Sequence, residues 1–189
     1  YGSFQTLNIR QIVAASIYSI LGAMAFLNLA YVLYHYVVLG TYLDHAEPDT
    51  AILAWRFASG LPLYLPVDAA KHITTAYGPM LFILTALPYL ALGPSIAVSK
   101  LAATMSLGLA TLIFATYVWR RFGTRYVGLA VIPYTCFPLI VAPVSFWVRP
   151  DAHMVVLVTI ALMSTLAADK DRPWVPAVVV AVCAGLAMN

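Results

Sequence analysis

Long apolar stretches separated by short polar segments dominate the pattern of this chain. Residues without charge fill the windows 11–43, 72–99, 101–119, 126–148, 152–168 and 173–189. An α-helix that crosses the hydrocarbon core of a bilayer needs about 20 mostly apolar residues. The pattern therefore predicts an all-α fold, a multi-pass transmembrane helical bundle with about five spans, at about 11–39, 96–119, 126–147, 152–168 and 174–189.

The segment between the first two spans, residues 40–95, breaks this pattern. Residues 50–59 place apolar side chains at helical spacing between Pro48 and Gly60, which are start and stop signals for a short helix. Residues 78–93 are apolar but short, and prolines bound and interrupt them. These features favour a surface or re-entrant helix over a complete crossing. We therefore expect one external loop that carries two short helices.

The distribution of charge supports this topology. If the second short helix does not cross, Arg10, the basic turn at 120–125 and the charged turn at 170–172 share one side of the membrane. The acidic segment 44–49 and the turn at 149–151 then share the other side. Because positively charged loops face the cytoplasm, we expect a cytoplasmic N-terminus and a multi-pass protein of the plasma (inner) membrane.

Composition indicates the same class of protein. Hydrophobic residues make up 63% of the chain and charged residues 9%, whereas soluble domains carry about 25% charge. The net charge of +3 is spread over short clusters, so nucleic acid is not an expected partner but membrane lipids are.

The two cysteines form neither a disulfide framework nor a thiol metal site. Since the chain starts at Tyr1 and stops at Asn189 within an apolar run, we expect part of a longer protein.

An acidic cluster follows the first apolar stretch. Of the seven acidic residues in the chain, Asp44, Glu47 and Asp49 lie here, and charged groups next to lipid are costly enough to suggest a function. We expect Pro48 to keep Glu47 out of a regular helix, so that Asp44 and Glu47 lie on a turn. They could then share Mg²⁺ or Mn²⁺, or one could act as a general base. The alternative is an acidic outer loop in which Asp49 caps the next helix.

A second cluster, Arg149-Pro150-Asp151, lies between two apolar windows. The arginine offers a bidentate grip for a phosphate or carboxylate. Asp151 could join Asp44 and Glu47 around a metal ion if the two external loops converge. The alternative is a local salt bridge, with Asp151 capping the helix that follows.

Further candidate substrate contacts lie in the first loop. Lys71 and His72 could bind an anionic headgroup. The alternative for Lys71 is that its side chain only extends to the membrane–water interface. Tyr77, which precedes the helix predicted at 78–93, is a third candidate substrate contact. Lys100, near the start of the second span, is expected to extend to the interface.

The order of these elements resembles membrane glycosyltransferases of the GT-C class. The resemblance rests on YLDHAEPDTA after the first span, then FASGLPLY, then YGPMLFILTALPYLALGPS before a spanning helix. A basic WRRFGTR turn and an RPD turn at the head of a later helix complete it. This class uses polyprenyl-phosphate sugars and includes protein mannosyltransferase-like and aminoarabinose transferase-like families.

The resemblance implies an inverting transfer of a sugar from a polyprenyl-phosphate donor to an acceptor hydroxyl on the extracytoplasmic face. A first-loop carboxylate, Asp44 or Glu47, would be the general base. Arg149 would lie near the donor phosphate, and Asp151 matches a position that binds a divalent metal in some members. The alternative function is a non-catalytic, multi-pass subunit that packs against other membrane subunits.

Overall fold

A computed structural model of the chain describes residues 8–66, 68, 78–140, 146–168, 172 and 174–188. These residues form seven α-helices and a short 3-10 helix, Thr124–Tyr126, and they contain no strand. The helices are α1 (Ile9–Val38), α2 (Ala46–Ala58), α3 (Pro79–Leu92), α4 (Ile96–Phe122), α5 (Val127–Ile140), α6 (Pro150–Leu166) and α7 (Trp174–Met188). The predicted all-α class is confirmed over this part of the chain.

Two of these helices are long and apolar enough to cross a membrane. α1 has 30 residues and α4 has 27, so at the helical rise they extend about 45 and 40 Å, beyond the roughly 30 Å of hydrocarbon. α5, α6 and α7 have 14, 17 and 15 residues and reach only about 21–26 Å. Of the predicted span at 126–147, residues 141–145 lie outside the described residues. The five-span bundle is therefore not confirmed.

α1 packs through one narrow stripe. Its buried residues, Gly22, Leu29 and Tyr36, recur every seven positions and so share one face of the helix. The remaining faces carry apolar side chains such as Met24 and Leu27, which are each more than half exposed. Large exposed apolar surfaces are rare on soluble monomers. The outer surface of α1 is therefore as apolar as a surface that lipid or another protein covers.

The stripe of α1 brings its backbone into direct contact with α5. A Cβ atom added to Gly22 would lie 2.7 Å from the Cα atom of Gly128, and one added to Gly128 would lie 2.5 Å from the carbonyl oxygen of Tyr18. Small residues permit this close approach between membrane helices. Only glycine fits at both positions, because the facing backbone leaves no room for a Cβ atom.

Replacing Gly128 with alanine is therefore expected to lower the free energy of unfolding by about 1–3 kcal/mol, because the new methyl group meets backbone that cannot move aside. Gly108→Ala is the matched control, since a Cβ atom there meets nothing within 4 Å. Denaturant titration in detergent micelles measures both variants. Equal stability of the two variants would contradict the close packing of α1 on α5.

The segment between α1 and α4 returns to the end of the bundle from which it starts. Tyr42, just after α1, pairs its hydroxyl with Ser99 Oγ of α4 at 3.1 Å. Within the segment, α2 and α3 pack on each other, with Ala54 of α2 against Ala86 and Tyr89 of α3. α3 ends where Gly93 adopts a φ of 77°, a conformation that favours glycine.

α2 begins at Ala46, earlier than predicted. Glu47 is therefore helical, and the prediction that Pro48 excludes it from a regular helix is wrong. Pro48 lies in the first turn, where the missing N–H costs no intrahelical hydrogen bond. The N-cap position is His45, and no side chain caps the helix there, so Asp49 is not the cap.

The bundle has two chemically different ends. The loop end comprises residues 39–46, 95–100 and 146–151, where α1 ends and where α4 and α6 begin. The arginine end carries Arg10 at the start of α1 and Arg120 and Arg121 in the last turn of α4.

Candidate functional site

Lys100 is a completely buried cation at the loop end. Its side chain is 0% exposed, and its Nζ donates hydrogen bonds to the carbonyl oxygens of Tyr36, Leu39 and Thr41 at 2.9, 2.8 and 2.7 Å. Three such bonds match the three protons of an ammonium group. Lys100 supplies donors to the chain where α1 ends and carbonyl groups lose their helical partners. The prediction that Lys100 extends to the interface is wrong.

Glu47 is also enclosed, with 0% of its surface exposed. Its Oε1 accepts the backbone N–H groups of Leu43 and Asp44 at 2.8 and 2.9 Å, and its Oε2 accepts the hydroxyl of Tyr36. The same Tyr36 oxygen accepts the N–H of Val148 at 2.9 Å. Tyr36 and Glu47 thus tie the chain after α1 to the segment that leads into α6.

Asp44 lies beside this buried pair but faces the rim of the loop end. Its carboxylate forms an ion pair with Nη1 of Arg149, and the Nδ1 atom of exposed His45 lies 2.7 Å from Oδ1. Arg149 Nε in turn lies 3.3 Å from Asp151 Oδ2. The Asp44 side chain is 11% exposed and that of Asp151 is 44% exposed. Two segments far apart in sequence therefore place two carboxylates around one guanidinium.

The environment keeps Asp44 ionised. Burial by itself raises the pKa of Asp44, but the Arg149 hydrogen bond and the charges of His45 and Arg149 outweigh it and hold the pKa below its usual value. A depressed pKa in the folded state means that the pair contributes stability above the ordinary aspartate pKa. This contribution is lost as the pH falls through the lower, folded value. At neutral pH the group is a carboxylate that can accept a proton.

An apolar groove of about 640 Å³ starts next to these charges. It lies between α4, α5 and α6, with Asp151 at the loop end and mainly apolar side chains below it, among them Phe114, Tyr134, Met154 and Val158. The groove therefore joins a polar rim to a path between helices that suits a chain-like apolar ligand.

The structure brings together some of the predicted site residues and separates others. Asp44, Arg149 and Asp151 converge, whereas Glu47 turns inward and binds Tyr36 and backbone. The candidate substrate contacts Lys71, His72 and Tyr77 lie outside the described residues.

The metal prediction rests on Asp44, Glu47 and Asp151. Across the part of the chain that is described, no group of three His, Cys, Asp or Glu side chains is arranged to hold a metal ion. Asp44 is paired with Arg149, whereas Glu47 accepts the hydroxyl of Tyr36. The divalent cation and its ligands stay a prediction.

Two residues of the site were not predicted to belong to it: Tyr36, and Lys100, which was expected to extend to the interface instead. Lys100 had a signal, since it is the lone charge between Lys71 and Arg120 in an apolar stretch, and such charges commonly have a specific partner. The sequence signal for Tyr36 was weaker: it lies at heptad spacing from Gly22 and Leu29.

Comparison with known proteins adds no relative: no family model, curated protein or solved structure matches this chain.

Proposed function

We propose that the chain is an integral membrane protein that transfers a sugar from a polyprenyl-phosphate donor to an acceptor hydroxyl. Membrane insertion is supported by the lengths of α1 and α4 and by the exposed apolar faces of α1. The shorter α5, α6 and α7 complete a five-span bundle in this proposal. Since cytoplasmic loops are rich in arginine, the arginine end and the N-terminus face the cytoplasm and the loop end faces outward, across the plasma (inner) membrane.

The observation that carries the transfer proposal is the convergence of Asp44, Arg149 and Asp151 beside the mouth of an apolar groove. A lipid-linked sugar donor needs a cation for its phosphate and an apolar path for its tail. Arg149 supplies the first, because guanidinium groups bind phosphate strongly. The groove between α4, α5 and α6 supplies the second.

Asp44 is the general base in this mechanism. Its carboxylate accepts the proton of the acceptor hydroxyl while the hydroxyl oxygen forms a bond to the anomeric carbon. The bond from that carbon to the phosphate oxygen breaks, and polyprenyl phosphate leaves with the electron pair. Arg149 stabilises the negative charge on the departing phosphate. Glu47 is unsuited to the role because its side chain is completely enclosed, whereas that of Asp44 is 11% exposed at the rim of the loop end.

One observation favours the alternative, a non-catalytic subunit of a larger membrane complex. The charged groups Asp44, Arg149 and Glu47 all have partners within the chain, as expected of contacts that only hold two loops together. A subunit of this kind would bind no donor, which separates the two proposals experimentally.

Donor binding tests the proposed function. A polyprenyl phosphate with a photoreactive tail, added to the purified chain in detergent, is expected to cross-link to groove residues such as Met154 and Val158. Arg149→Gln is expected to weaken binding by roughly 10-fold or more, since a hydrogen bond to a charged group contributes about 1.5–3 kcal/mol.

Arg56→Gln is the matched control, because Arg56 lies in the last turn of α2, donates to the carbonyl oxygen of Pro62 and is outside the site. Thermal unfolding of both variants checks that they remain folded. Cross-links confined to the outer face of α1, or equal donor binding by Arg149→Gln and the unmodified chain, would overturn the donor site.

A further inference from the structure

A second pocket lies at the arginine end, away from the candidate transfer site. It has a volume of about 510 Å³ and lies between the last turns of α4 and α6. Arg120 and Arg121 line it together with Thr116, Tyr117 and Ser164, and none of the described residues that line it is a carboxylate. In the described part of the chain, neither arginine takes part in an ion pair. The pocket is a concave, positively charged site whose charge the described residues do not balance.

The lining changes in character along the pocket. The arginines lie at its outer part, at the end of α4, while Ile113 and Met163 lie one to two helical turns further inside. Met163 also lines the apolar groove below Asp151, so the two cavities adjoin. A ligand that fits this lining has an anionic head and an apolar tail.

Exposed aromatic side chains accompany the arginines at this end of the bundle. Trp119 and Phe122 flank the two arginines on α4 and are 56% and 54% exposed, and Trp174 at the start of α7 is 64% exposed. Tryptophan and tyrosine concentrate at membrane–water interfaces. Basic pockets between helices at the cytoplasmic side are a recurring way to bind anionic lipid headgroups.

We infer that this pocket binds the phosphate headgroup of an anionic phospholipid from the cytoplasmic leaflet. The site rests on membrane insertion but not on the transfer reaction. Arg120 and Arg121 pair with the phosphate, Thr116 and Ser164 lie beside the headgroup, and the lipid chain follows Ile113 and Met163. An inorganic phosphate shares the charge but not the apolar contact.

Titration of the detergent-solubilised chain with dioctanoyl phosphatidylglycerol, followed by calorimetry, tests the site. We expect saturable binding, with much weaker binding of dioctanoyl phosphatidylcholine, which has no net charge, and of inorganic phosphate. The double variant Arg120→Gln/Arg121→Gln is expected to raise the dissociation constant for phosphatidylglycerol about 25-fold, or about fivefold for each arginine.

Arg10→Gln is the matched control, because it removes an exposed arginine from the same end of the bundle but outside the pocket. Thermal unfolding shows whether each variant is folded, and if the double glutamine variant is not, the single variants Arg120→Gln and Arg121→Gln replace it, each expected to weaken phosphatidylglycerol binding about fivefold. Unchanged phosphatidylglycerol binding by the double variant, an equal loss in Arg10→Gln, or equally tight binding of inorganic phosphate would each overturn the site. Since Asp44→Asn leaves this pocket intact, it should bind phosphatidylglycerol normally even if it transfers no sugar.

Discussion

Replacing Lys100 with methionine is expected to lower the free energy of unfolding by about 3–5 kcal/mol. The change leaves the carbonyl oxygens of Tyr36, Leu39 and Thr41 without the donors that Nζ provides, and each buried acceptor without a partner costs about 1–3 kcal/mol. It also removes a cation that lies 4.5 Å from the centre of the Tyr36 ring. Methionine preserves most of the volume of the side chain, so the loss measures its hydrogen bonds and charge rather than a cavity.

Denaturant titration in micelles, followed by tryptophan fluorescence, measures this loss. Arg10→Met is the matched control, since it removes an exposed cation from the other end of α1 and is expected to change stability by less than about 0.5 kcal/mol. Lys100→Arg should also be destabilised, because a planar guanidinium does not reproduce three converging ammonium bonds. A Lys100→Met variant as stable as Arg10→Met would show that the buried ammonium does not hold the end of α1.

Much of the helical framework follows from the sequence because apolar pattern and helix stop signals are local properties. The long apolar run after Arg10 is α1, and the short run between prolines at 78–93 is α3, within one residue at each end. The start of α2 was placed too late because proline was taken as a boundary. Proline in a first turn is tolerated, because the N–H that it lacks would have no intrahelical partner there.

The candidate site could be predicted only in part. The topology implied that the acidic loop and the Arg149 turn share one side, and Asp44 and Asp151 do meet at Arg149. The sequence does not predict that Asp44 lies at the rim while Glu47 is buried, because the burial of Glu47 depends on contacts with Tyr36 and Val148. Tyr36 precedes Glu47 by 11 residues and belongs to the last turn of α1, and the backbone N–H of Val148 donates to the same Tyr36 hydroxyl from a distant part of the chain.

The number of membrane spans also lies beyond the sequence pattern. A charge-free window shows where a helix can be buried in lipid, but the length of the helix that forms there depends on prolines and packing. Pro133 and Pro138 lie within the window that contains α5, and that helix is described only to Ile140.

Asp44→Asn is expected to lower the rate of sugar transfer by roughly 10²–10⁴-fold, the usual contribution of a general base. Asparagine keeps the shape of the side chain and can still accept a hydrogen bond from Arg149, so the protein should insert and fold. Asp49→Asn is the matched control, because Asp49 is an exposed aspartate in the first turn of α2. Glu47→Gln should mainly reduce stability, since its oxygens bind Tyr36 and backbone rather than an acceptor.

The most direct test is the release of polyprenyl phosphate in proteoliposomes that contain the chain, a panel of polyprenyl-phosphate hexoses and pentoses, and an acceptor-bearing membrane fraction. We expect release by the unmodified chain and by Asp49→Asn, and release at least about 100-fold slower by Asp44→Asn at equal amounts of inserted protein. Release by Asp44→Asn at the unmodified rate would contradict the assignment of the base. No release by any form, with no donor bound in the groove, would contradict the transferase itself.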